Sequence, residues 1–151
     1  MGLKLRNDKI VAKSLLRTGD RTSAMALKAV VKGGEKIQEL SKKMAPVDKG
    51  SLESAIKMTI PQERGINGRK IVTVYVDEDM SVIGRSDKKV GSYATEMHEA
   101  FYKPGELSQK KSNANGVFVG RKYLERAAEE LESEIRASVE KAAKIAAKRR
   151  R

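Results

Sequence analysis

Cysteine and tryptophan are absent from the 151 residues, which hold one histidine, three prolines, two phenylalanines and four tyrosines. Without cysteine there are no disulfides, no thiol nucleophile and no thiolate-ligated zinc, and the chain suits folding in a reducing cytoplasm. A single histidine removes most histidine-dependent metal sites and triads. No apolar run is long enough to cross a bilayer, so no membrane partner is expected. The opening Met1-Gly2-Leu3-Lys4-Leu5-Arg6 lacks the apolar stretch of a secretory signal. With 39% hydrophobic residues and few aromatics, the core of this one-domain chain is expected to be thin and aliphatic. Composition speaks against an enzyme.

What is abundant is positive charge. Thirty-two Lys and Arg face 20 Asp and Glu, a formal net charge of +12. Residues 1–50 carry +7, residues 51–100 carry −1 and residues 101–151 carry +6. The excess therefore lies at the two ends. Such a balance predicts attraction to DNA, RNA or an acidic protein surface, although much of it is solvating charge on helix faces interleaved with Glu. Aromatic platforms of the kind that bind single strands are missing. Nucleic-acid contact would be to phosphate, salt-sensitive and indifferent to sequence. The closing Lys148-Arg149-Arg150-Arg151 reads as a solvated tail by default. A phosphate- or acid-contacting arm comes second, a nuclear-type address third.

The pattern along the chain predicts an α+β fold: a long N-terminal helix, a three- to four-stranded antiparallel sheet, a short helix and a long C-terminal helix. Residues 1–20 read as an N-terminal arm or short helix, with Ile10, Val11, Leu15 and Leu16 at loosely helical spacing. The first long helix starts near Asp20 or Thr22 and runs to Met44, with Leu27, Val30, Ile37, Leu40 and Met44 on one stripe. Gly33-Gly34 in its middle implies a kink or a close backbone contact. Pro46 stops it. Strands are expected over Ser51–Ile60, Ile71–Val76 and Ser81–Gly84, joined by a hairpin loop around Gly65-Ile66-Asn67-Gly68 and a turn at Asp77-Glu78-Asp79. Tyr93, Ala94, Met97 and Phe101 share a helical face after Gly91. Residues 103–116, rich in turn formers and carrying Lys103, Lys110 and Lys111, read as an exposed loop. Val117-Phe118-Val119 could pair briefly with the sheet. The last helix runs from about Lys122 to Ala147, with an apolar seam at Leu124, Ala128, Leu131, Ile135, Val139 and Ala142.

Three chemical motifs fall away on inspection. Gly65-x-x-Gly68 matches a nucleic-acid clamp that joins two helices, whereas here it sits between two expected strands. Gly116 to Lys122 is superficially similar to a phosphate loop but has three residues between its glycines and no Lys-Ser/Thr. His98-Glu99 beside Glu96 could suggest a metal or acid–base pair, yet no second ligand set accompanies it, and a packed helix-edge histidine is the simpler account. No motif calls for a cofactor.

Two of the segments left over, and a third beyond them, resemble a known family. Met44-Ala45-Pro46-Val47-Asp48-Lys49-Gly50-Ser51-Leu52-Glu53-Ser54-Ala55-Ile56 is similar to the A-P-V-D-x-G-x-L-x-x-S-I signature of the tail-completion, or head–tail joining, proteins of long-tailed bacteriophages (the gene-product-ten-like family). Tyr93 to Glu99 resembles its Y-A-x-x-x-x-E segment, and Tyr123-Leu124-Glu125-Arg126-Ala127 the F-L-x-x-A that opens its final helix. The resemblance covers residues 21–147. Ala100-Phe101 stands where the family usually has Gly-Thr. The resemblance implies a non-enzymatic neck protein of the virion, made in the host cytoplasm. It implies a homo-oligomeric ring, hexameric or dodecameric, around the DNA channel, with Lys103, Lys110 and Lys111 of the exposed loop meeting an adjacent ring. Its neighbours would be portal, adaptor or stopper proteins on one side and tail-terminator proteins on the other, with non-specific DNA contact. The bend at Pro46, Asp48, Gly50 and Leu52 would be a structural corner: proline halts the helix, aspartate caps a turn, glycine takes a positive φ and leucine enters the core. The alternative is a small basic nucleic-acid-binding accessory protein.

Overall fold

A computed structural model describes the backbone at residues 3–6, 9–14, 20–47, 49–59 and 70–148, with side chains within those ranges from residue 24 to residue 146. Two long helices dominate, α1 over Asp20–Met44 and α5 over Tyr123–Lys148, packed along one another. At 1.5 Å per residue each is roughly 37–39 Å long. Between them in sequence come α2 (Ser51–Ala55), α3 (Gly91–Glu99) and α4 (Glu106–Asn115). The strands are β1 (Leu3–Arg6), β2 (Lys9–Ser14), β3 (Ile56–Thr59), β4 (Lys70–Val76), β5 (Ser81–Val82) and β6 (Arg85–Lys89). This is the expected α+β class, with both long helices where periodicity put them.

One antiparallel sheet has the order β1-β2-β4-β3, and a separate ribbon pairs β5 with β6. In β4, Val72, Val74 and Val76 point inward at 2% exposure or less while Ile71, Thr73 and Tyr75 take the more open face. That alternation is the period-two signature of a half-covered strand. Helix α1 lies on the valine face. Gly34 is what lets it approach: a Cβ there would stand 2.6 Å from Val72 Cγ1 and 2.8 Å from Met58 Sδ. Gly33 does the same toward α5, where a Cβ would meet Ile135 Cγ2 at 2.8 Å. The Gly-Gly pair therefore marks close contact on two sides of an unbroken helix.

The sheet differs from expectation in four places. The N-terminal arm is a β-hairpin, not a short helix: β2 pairs with β4 from Ile10↔Val74 to Ser14↔Lys70. Its β-branched Ile10 and Val11 favour a strand once a partner edge is available. Ser51–Ala55 is a helical turn, and the strand begins only at Ile56. Leu52, Ala55 and Ile56 are all buried, an i, i+3, i+4 spacing that fits a helix better than a strand. The expected third strand is shorter, turns at Ile83-Gly84 and joins the ribbon rather than the sheet. Residues 117–119 form no strand. The loop around Gly65 and Gly68 lies outside the described residues; β3 and β4 on either side of it pair antiparallel.

Candidate assembly surface and its structural corner

The corner after α1 is bound from several directions. Helix α1 ends at Met44, leaving carbonyls without intrahelical partners. Lys111 Nζ donates to Lys42 O at 2.5 Å and Ala45 O at 2.7 Å, and reaches Glu53 Oε1 at 2.6 Å. The Gly120 amide donates to Met44 O at 3.0 Å. Ser108 Oγ accepts from Val47 N at 3.0 Å and donates to Val47 O at 3.3 Å. An ammonium at the negative end of the α1 dipole is favourable in itself. Gly50 has φ +81°, and Leu52 is buried, as the corner reading requires; Pro46 is half-buried; Asp48 lies outside the described residues.

A Cβ on Gly50 would meet nothing closer than Glu53 Oε2 at 3.9 Å, so the demand there is purely on φ. Gly50→Val should destabilise the protein by about 1–3 kcal/mol through backbone strain. Gly50→Asn should cost less, since asparagine tolerates the left-handed region. Equal melting temperatures for the parent and the valine variant would show the bend to be misread.

The expected exposed loop is in fact α4, and this changes the meaning of its lysines. Lys111 is an internal clamp with a side chain only 13% exposed, while Lys110 and Lys103 are exposed. Composition concealed the helix because its inward stripe is polar. Ser108, Lys111 and Ser112 sit at i, i+3 and i+4, and Ser112 Oγ donates to Val117 O at 2.7 Å. The apolar Leu107 points out at 51% exposure.

His98 is fully buried, with Nδ1 2.7 Å from Glu99 Oε1 and its ring edge-to-face with Tyr123 at 4.9 Å. Its carbonyl accepts from the Lys122 amide at 2.8 Å. Lys122 enters α5 with φ 56°, and its Nζ lies 2.8 Å from Glu99 Oε2 and 3.1 Å from Glu125 Oε2. Hydrogen bonds from Lys122 and then His98 hold the Glu99 carboxyl below its ordinary value, and the bonds that Lys122 donates to Glu99 and Glu125 raise the pKa of its ammonium. This network staples α3 to the start of α5. Among the described residues no group of three His, Asp or Glu is placed to hold a metal ion.

Both phenylalanines lie on the surface. Phe101 is 84% exposed and Phe118 59% exposed, so Phe101 does not join the apolar face of α3, which ends at Glu99. Arg121 stacks over Phe101 at 3.5 Å and Arg126 over Phe118 at 4.8 Å. Arg126 also donates to Phe118 O and Arg121 O. Burial lowers the Arg126 pKa and raises that of Tyr102 beside it. The two rings border a hollow of about 500 Å³. Aromatic and arginine side chains in one exposed patch are the composition of an interface centre. Sequence reasoning missed it; the hint was Phe118 bracketed by Gly116 and Gly120, with Arg121 and Arg126 close behind. Of the basic C-terminus, Lys148 closes α5, and Arg149, Arg150 and Arg151 lie outside the described residues.

The three resembling segments meet in space. Met44, Ala45, Leu52, Ala55 and Ile56 of the first, Ala94 of the second, and Tyr123, Leu124 and Ala127 of the third share one buried cluster. Comparison of the chain with protein-family models, curated proteins and solved structures finds no match.

Proposed function

We propose that this protein is a structural subunit of a bacteriophage neck, forming a ring between head and tail around the DNA channel. The observation that supports the reading is the convergence just described. Segments separated by tens of residues build one node that joins α1, α3, α5 and the sheet, which supports an architectural role for the resembling motif. The exposed Phe101 and Phe118, each under an arginine, supply the kind of surface that subunit contacts bury. A small basic chain with a thin core also gains stability by closing on neighbours.

The test is mass photometry at moderate salt without DNA, followed by negative-stain imaging. A hexameric or dodecameric particle with a central hole is expected, and F101S/F118S should shift it toward smaller species. A monomer that changes only on adding duplex DNA, with affinity falling steeply in salt, would replace this reading with the nucleic-acid-binding one, which the net charge of +12 favours.

A further inference from the structure

The β5–β6 ribbon, the corner and the start of α4 enclose an open groove of about 1150 Å³. That exceeds the usual size of a small-molecule site, and suits a length of polypeptide. Its rim carries Lys49, Arg85, Lys88, Lys89 and Lys103 against only Asp87 and Glu106. None of the five cations makes an ion pair among the described residues. Its floor is apolar, from buried Leu52 and half-buried Pro46, Val47, Val82 and Met97, and Leu107 stands exposed at its edge. All five residues of β6 are exposed, and on one side this strand pairs only with the two residues of β5. The ribbon is nevertheless anchored, with Ile83 N donating to Ser51 Oγ at 2.8 Å.

We propose that this groove binds an acidic, aliphatic-anchored extended segment of a partner protein. An extended chain alternating acidic and aliphatic residues presents one kind to each side, matching a cationic rim over an apolar floor. Duplex DNA would use the cations but leave the floor uncovered. A second copy is a poorer fit. It too is strongly basic, and Glu125, Glu132 and Glu134 of its acidic α5 half are already paired with Lys122, Arg136 and Lys36. This inference goes beyond the neck reading and does not depend on it.

The test is fluorescence anisotropy of the full chain with a labelled peptide of alternating Glu and Leu. Saturable binding is expected, weakened about tenfold or more by K88E/K103E and likewise by L107D, a tenfold loss corresponding to about 1.4 kcal/mol. A Glu-Ser peptide of equal charge should bind at least about tenfold more weakly than Glu-Leu, because the floor goes unfilled. K141E/K144E, a charge change on α5 equal to that of the double groove variant, should leave the affinity unaltered. The substituted side chains are exposed, and matched circular dichroism melts confirm intact folding. The proposal is overturned by no saturable peptide binding, by equal affinity for the two peptides, or by variants that lose duplex DNA binding while keeping the peptide. Displacement of the peptide by concentration-dependent self-association would overturn it in favour of a second copy.

Discussion

Replacing Gly34 by leucine is expected to lower stability by about 3 kcal/mol, near the upper end of ordinary overpacking costs. For a chain of this size that is a fall of roughly 6–12 °C in melting temperature. Helix propensity alone predicts the opposite sign, since removing a mid-helix glycine should gain up to about 1 kcal/mol. The clash wins because Val72 is 1% exposed, β-branched and fixed in the centre of the sheet, so it cannot swing away from a Cβ at 2.6 Å. Met58 on the other side is flexible and can yield. Alanine should therefore land between the parent and leucine. Gly33 is the milder neighbour, because half-buried Ile135 has solvent-side room to move. Thermal and urea melts of the three Gly34 proteins decide it; a leucine variant as stable as the parent would mean that α1 does not sit this close to β4.

Lys111→Met is the second large effect, expected at about 2–4 kcal/mol of lost stability. Methionine keeps the length of the stem but leaves Lys42 O and Ala45 O without their donor and Glu53 without its cation. The figure sits below the cost of breaking a fully buried pair because the Glu53 side chain is 31% exposed. Lys110→Met, one residue away and exposed, should stay within about 0.5 kcal/mol of the parent. Adding Glu53→Gln to Lys111→Met should recover part of the loss. The pair of lysines separates two roles by measurement. A Lys111→Met protein that melts like the parent yet fails to assemble would return this residue to the subunit contact that the sequence suggested.

The elements most legible in the chain were those whose buried face is hydrocarbon at a regular period. The stripe from Leu27 to Met44 and the seam from Leu124 to Ala142 each place aliphatic residues at steps that only a helix brings together, and Val72, Val74 and Val76 do the same for a strand. The bend at Pro46 and Gly50 was legible because each residue has a narrow backbone range. Helix α4 was not, because its inward stripe of Ser108, Lys111 and Ser112 is satisfied by carbonyls and a carboxylate from elsewhere in the fold. Polar residues carry no periodic signal until their partners are known. The N-terminal hairpin was hidden for a related reason: Ile10 and Val11 suit either a short helix or a strand, and the free edge of β4 settled the matter.

Composition and periodicity by themselves determined the α+β class, the two long helices, the corner and the surplus of positive charge, since these depend on local backbone preference and on counting. Tertiary packing alone decided which cations gather at the groove beside the β5–β6 ribbon, which lysine turns inward to cap α1, and that both phenylalanines face outward beneath arginines. Those outcomes depend on which distant groups come within a few ångströms of one another. No one-dimensional spacing encodes that distance.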